Sequence, residues 1–267
     1  MNNFNNPILQ EVKNQYETIE KMTSIFVSNP TSAIRGLLIS GDAGMGKTHF
    51  FKQGISKIGD IDDIDYCKGS SITSAAMFCK LWQNRMPGQI LALDDVDIIN
   101  KSKAEMVAIL DLFKGATEPT KGKRVIEWLR AQRNPLMIEN DIPESFDFQG
   151  SIIWITNEKI SDISEKAGSH WPAISSRFRQ VPVWLNDQEK LMYTIHLVED
   201  VNILGPDCEA KDGGFKKDVI KKTITYIRKN WKQMSDISPR IAINIADIIE
   251  NFPKDWETYC EYQFINK

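Results

Sequence analysis

The run Gly36-Leu-Leu-Ile-Ser40 passes directly into Gly41-Asp-Ala-Gly-Met-Gly-Lys-Thr48, and this junction constrains the chain more than any other stretch. A short continuous apolar run bounded by glycine reads as a strand covered on both faces. Gly41 and Gly46 bracket four residues and lead into Lys47-Thr48, completing a G-x4-G-K-T pattern. Between a buried strand and an amphipathic helix, such a loop turns consecutive N–H groups inward, with the helix's positive end behind them. The spacing predicts a phosphate cradle built from Gly41, Asp42, Ala43, Gly44, Met45 and Gly46. Lys47 would reach the β- and γ-phosphates, and Thr48 would hold Mg²⁺ through its hydroxyl. His49 follows at once and counts with the loop as a nucleotide-contact position; packing of its ring between helix and sheet is the alternative.

The same junction implies an α/β architecture. Apolar runs recur at Leu37–Ile39, Ile64–Cys67, Ile90–Leu93 and Ile152–Ile155, and helical spacings lie between them at about 47–57, 72–85 and 102–115. Alternating strands and helices predict a parallel sheet flanked by helices. Residues 7–28 place Ile8, Val12, Tyr16, Ile19, Met22 and Phe26 three and four apart, the pattern of an amphipathic helix that Asn29-Pro30 ends. Val181-Pro-Val-Trp184 contains a proline and belongs at a sheet edge. Beyond residue 186 only helical patterns follow, at 186–200, 215–231, 239–251 and 253–263. The expected organisation is an α/β nucleotide-binding domain over 1–185, with an insertion at about 116–150, then an all-helical lid over 186–267. Leu185 and the loop Gly205–Gly214 are the expected soft points.

Composition narrows the class. Apolar residues form 42% of the chain and charged residues 26%, enough for a sizeable core, and the net charge of −3 gives no global basic field. The four cysteines lack metal-ligand spacing and the N-terminus is polar, so reduced thiols in a cytoplasm, or a host cytoplasm, are expected. No apolar run approaches the roughly 18 residues of a spanning helix, so no membrane role is expected. Abundant Asn, Ile and Lys hint at an AT-rich bacterial or viral genome.

Ile90-Leu-Ala-Leu93 ends in Asp94-Asp95. At a strand's C-terminal end beside a phosphate loop, Asp94 would orient the Mg²⁺ shell and Asp95 would polarise the attacking water. With these residues in place the chain resembles the AAA+ ATPases, including members from phages and mobile elements, over nearly its whole length. The resemblance implies three further positions. Asn157, ending Ile152-Ile-Trp-Ile-Thr-Asn157, matches the sensor 1 residue. Ser176-Arg177, within Trp171-Pro-Ala-Ile-Ser-Ser-Arg-Phe-Arg179, looks like the arginine finger, with Arg179 as the alternative. Ser238-Pro239-Arg240 fits sensor 2, where Ser238 caps, Pro239 takes the first turn and Arg240 projects outward. One departure stands out: the family's usual strand-end pair is Asp-Glu. Asp95 is one methylene shorter, which predicts unimpaired binding and slower turnover.

An arginine finger implies a homo-oligomer, a ring or open spiral and an expected hexamer, in which Arg177 completes the neighbour's site. A trans-supplied arginine is worth about 10³–10⁵ in rate in related enzymes. Phe78 and Trp82 sit four apart, core-helix spacing, and no aromatic–aliphatic–glycine pore loop lies between Lys68 and Gly88, which disfavours protein threading. The insertion resembles a pre-sensor-1 hairpin, with Val125–Trp128 pairing with Leu136–Ile138. Its segment 121–133 carries five basic residues against one acid. Two readings stay open there: a hairpin whose Trp128 stacks on bases, or a solvated edge with Trp128 packed inward. Three functions follow: a DNA-associated motor or loader, a MoxR-like chaperone remodelling a protein client, or a nucleotide-gated binding module with little hydrolysis.

Overall fold

The computed structural model describes residues 6–58, 64–120, 122–129 and 134–265. The chain divides into two compact units, one formed by Glu17–Gly41 with Lys47–Val183, the other by residues up to Tyr16, Asp42–Gly46 and everything from Trp184 onward.

The first unit is built on five parallel strands: β1 (Gly36–Gly41), β2 (Ile64–Lys68), β3 (Ile90–Asp94), β6 (Ser151–Thr156) and β7 (Phe178–Val183). Their order across the sheet is β2-β3-β6-β1-β7. Burial explains that order. The continuous apolar runs β1, β3 and β6 are buried at every residue and occupy the centre. Half-buried β2 and β7 take the edges, and Pro182, which lacks an N–H, sits in the edge strand β7 opposite Ser40. Helices α2 (Lys47–Ser56), α3 (Ser74–Gln83) and α4 (Lys103–Ala116) follow β1, β2 and β3 in turn. Thr73 and Ser102 cap α3 and α4 through side-chain oxygens that accept from Ala76 N and Glu105 N. Two short helices, α6 (Ile160–Ala167) and α7 (Trp171–Ser175), join β6 to β7.

The insertion departs from expectation. β4 (Val125–Glu127) pairs antiparallel with β5 (Ser145–Asp147), Ile126 opposite Phe146. Leu136–Ile138, expected as the partner strand, instead lies within helix α5 (Pro135–Glu139). Asn134 and Pro135 decide this, since the Asn134 side chain accepts from Leu136 N while Pro135 takes the first turn. Trp128 is 8% exposed and meets the Phe78 ring at 5.4 Å, so the indole is packed inward and is not a base-stacking platform. Phe78 is fully buried, and the Trp82 ring lies 5.3 Å from Phe146. Both aromatic residues of α3 therefore serve the core.

The second unit holds α8 (Asp187–Glu199), α9 (Lys217–Asn230), α10 (Pro239–Asn251) and α11 (Trp256–Phe264), around a core that includes Val198, Val219, Ile227, Ile245, Ile249 and Phe264. Asn186 and Glu189 form a reciprocal capping box on α8. Helix α1 (Pro7–Val27) contributes its first turns to this unit, where Tyr16 stacks on Tyr193 at 4.8 Å. Among the described residues no helix is long and apolar enough to cross a membrane.

Replacing Trp128 by Ala is expected to cost about 3–5 kcal/mol in chemical denaturation, the range for emptying a buried aromatic site. Leu129→Ala, at a residue 87% exposed, is expected to change stability by less than about 0.5 kcal/mol.

Candidate functional site

Parallel strands deliver all their C-terminal ends to one edge, and the order β3-β6-β1 sets three sequence-predicted groups side by side there. β3 ends at Asp94, β6 stops one residue before Asn157, and β1 ends at Gly41. Lys47, the first residue of α2, is buried; its Nζ donates to the Gly41 carbonyl at 2.8 Å and to Asn157 Oδ1 at 2.7 Å. Asn157 Nδ2 donates in turn to Asp95 Oδ1. Beside this chain runs a second one. Thr48 Oγ1 donates to Asp94 Oδ2 at 2.8 Å, and the Tyr66 hydroxyl donates to the same oxygen.

Asp94 is 4% exposed, so its carboxylate depends on those donors, whereas Asp95 next to it is exposed. Asp95 adopts a left-handed backbone with φ 58°, its N–H bonded to the Ile155 carbonyl at 3.0 Å. That conformation turns its carboxylate toward Asn157. Tyr66 is a member of the cluster that sequence reasoning missed, for a lone tyrosine on a half-buried edge strand carries no spacing signal. Burial, and then the neighbouring Asp94 carboxylate, raise its phenol well above the ordinary value, so it stays a donor at neutral pH.

The loop residues Asp42–Gly46 belong to the helical unit. Asp42 explains why: its Oδ2 accepts from Leu185 N at 2.9 Å and its Oδ1 pairs with Lys190 Nζ at 2.8 Å. The Asp42 carboxylate is thus committed to tying down the loop. Gly44 and Gly46 take φ of 69° and 99°, a region that costs other residues, and so allow the curled cradle. Met45 is buried and Ala43 exposed. Ser238 caps α10 by accepting from Ile241 N at 3.3 Å, with Pro239 in the first turn. A methyl group placed on Gly44 would lie 3.4 Å from Arg240 Cβ, so exposed Arg240 starts beside the loop.

His49 differs from the packing alternative: it is exposed, and its ring meets Phe50 edge-on at 5.5 Å. As the third residue of α2 it follows the loop on the helix's solvent side. Arg177 lies between α7 and β7, outside the strand-end cluster. Its Nε donates to Glu118 Oε2 at 2.9 Å and its Nη1 to the Ala173 carbonyl at 2.6 Å. Arg179 is half-buried in β7. In the basic segment 121–133, Lys121 and residues 130–133 lie outside the described residues. Arg124 is 4% exposed and bonds the carbonyls of Glu118 and Thr120. Lys123 is exposed.

No family model matches the chain. An uncharacterized 36.7 kDa protein of the nrdC–mobD intergenic region of Enterobacteria phage T4 is 29% identical over 264 residues, spanning 93% of this chain and 76% of the relative. Among solved structures, the Thermotoga maritima RuvB Holliday junction branch migration motor aligns at a TM-score of 0.47 and 15% identity, over 94% of this chain. This chain spans 65% of that RuvB chain. Domain III of the Thermotoga maritima replication initiation protein DnaA aligns at 0.44 and 14% identity, over 92% of each chain. AMPPCP-bound DnaA from Aquifex aeolicus aligns at 0.45 and 13% identity, over 90% of this chain and 64% of that one. The chain has an α/β fold, five parallel strands flanked by helices, and in the order of its motifs it resembles the AAA+ ATPases.

Proposed function

We propose that the chain binds ATP with Mg²⁺, hydrolyses its terminal phosphoanhydride bond, and does so assembled with copies of itself. The observation that carries this reading is the convergence of Lys47, Thr48, Asp94, Asp95 and Asn157 at adjoining strand ends behind a G-x4-G-K-T loop.

Each residue has a part. Lys47 exchanges the Gly41 carbonyl for the β- and γ-phosphates, while the loop's N–H groups and the start of α2 face the phosphate oxygens. Thr48 and Asp94 are hard oxygen donors already 2.8 Å apart, a set that suits Mg²⁺. The bound ion would neutralise charge developing on the phosphates. Asp95 orients a water for in-line attack on the γ-phosphorus, and the bond to the bridging oxygen of ADP breaks. Asn157 holds both Asp95 and Lys47, so nucleophile and phosphate are placed by one amide. Arg240 senses the nucleotide from the start of α10.

Arg177 is the residue proposed to act in trans, and to do so it must leave Glu118. The macromolecular client proposed is DNA. The surface that supports this lies on α9 and its cap: Lys216, Lys217, Lys221, Lys222 and Lys229 are all exposed, with Asp218 among them, while Arg228 pairs with Glu199. Such a row neutralises phosphates without reading sequence.

Lys47→Ala is expected to abolish tight binding of a fluorescent ATP analogue, and unchanged affinity would refute the cradle. Arg177→Ala is expected to be silent alone and partly restored by added Lys47→Ala protomers, which supply an intact arginine. Absence of restoration in a turnover assay would place Arg177 outside the neighbour's site. DNA is expected to stimulate turnover with a steep inverse dependence on salt. Normal turnover that ignores both single- and double-stranded DNA would shift the client to a protein.

A further inference from the structure

The opposite, N-terminal edge of the sheet gathers arginines. Gly36 at the start of β1 is in register with Ile152 of β6 and with Phe178 of β7. The residues just before Gly36 and Phe178 are Arg35 and Arg177, so their backbones are neighbours, about 5 Å apart at the strand spacing. Arg35 is fixed there by its carbonyl, which accepts from Ile152 N at 2.8 Å. Arg124 joins the group through Glu118: its Nε donates to the Glu118 carbonyl at 2.8 Å, while the Glu118 carboxylate takes Arg177. Arg124 also bonds Gln149 Oε1 at 3.4 Å and the Thr120 carbonyl at 3.3 Å.

Arg35 differs from the other two. It is 6% exposed, and neither its Nε nor its Nη1 has a hydrogen-bond partner. Among the described residues no acid pairs with it. Burial and the nearby Arg124 charge hold its pKa below the ordinary arginine value. A buried guanidinium with unmet donors is strongly unfavourable, and an anion at those donors would relieve the cost. We propose that Arg35, with Arg177 and Arg124, forms a binding site for a phosphoryl anion at this edge of the sheet. Guanidinium forks match the spacing of phosphate oxygens, and several forks suit a group with more than one charge. Arg177 exchanges Glu118 for the anion, and the Glu118 side chain, 47% exposed, turns to water. Two sources share this chemistry: free phosphate or pyrophosphate, and the terminal phosphate of a nucleotide held by a second copy. The second source rests on the ATPase assembly proposed above; the anion site itself does not.

The test uses Lys47→Ala protein, whose own loop no longer competes for the probe. Pyrophosphate at a hundredfold excess over its dissociation constant is expected to raise the thermal midpoint by about 5 °C. Adding Arg35→Met is expected to remove that rise while leaving the probe-free midpoint equal or higher, because an unpaired buried charge has gone. No rise in Lys47→Ala, or an equal rise in the double variant, overturns the site. Should the Met variant not fold, Arg35→Lys keeps the charge and loses the fork, and an undiminished rise there overturns the proposal equally. To identify the source, Arg35→Met protomers are mixed with Lys47→Ala protomers. Turnover above the sum of the two assigns the site to the neighbour's nucleotide. A pyrophosphate response without that gain supports the site with a free anion as its ligand and rejects the neighbour's nucleotide.

Discussion

Asp94 is a buried carboxylate whose Oδ2 accepts from two hydroxyls, and the geometry around the strand ends follows from satisfying it. A buried carboxylate left without donors would cost far more than a surface one. The two donors come from different elements, Thr48 from α2 and Tyr66 from β2. Meeting the need of Asp94 therefore locks the helix after β1 and the sheet's edge strand to the end of β3. Lys47 precedes Thr48 and is fixed with it, which brings its ammonium to Asn157 on the neighbouring strand end. One desolvated acid thus sets the places of four other polar side chains.

The aspartate at position 95 has a local cause. Its backbone lies in the left-handed region, which Asp and Asn tolerate better than most residues. A glutamate there would meet a backbone less suited to it and would extend past Asn157. The shorter side chain accepts from Asn157 Nδ2 directly, so what is lost in reach toward a water is offset by a fixed orientation. Slower turnover with intact binding remains the expectation under the proposed function, in which the phosphate contacts belong to other residues.

The centre of the sheet was legible because β1, β3 and β6 are apolar at consecutive positions, a pattern that both-face burial produces. The caps were legible too: Ser238-Pro239 begins α10, and Asn29-Pro30 follows the end of α1. What failed depended on pairing at a distance. Val125–Glu127 has two apolar partners in sequence reach, and Asn134-Pro135, itself a helix-start signal, removed the nearer one. Trp128 resembles a nucleic-acid contact by its basic neighbours, yet Phe78, fifty positions earlier, claims its ring. Tyr66 and Arg35 carry no local pattern. Their significance comes from register alone, which no window of sequence displays.

The same register limits what the arginines can do within one chain. β1 is six residues long, so Gly36 and Gly41 lie about 17 Å apart at 3.3–3.4 Å per residue. Arg35 and Arg177 stand before one end of that strand and its neighbour, while Gly41 and Lys47 stand at the other. Arg177 is moreover drawn to Glu118 and the Ala173 carbonyl on its own side. Gly41 and Lys47 are therefore separated from the arginine cluster by the full height of the sheet. Glu118 takes Arg177 and, with Asp147, attracts Arg124, while Arg35 Nε and Nη1 are left without hydrogen-bond partners.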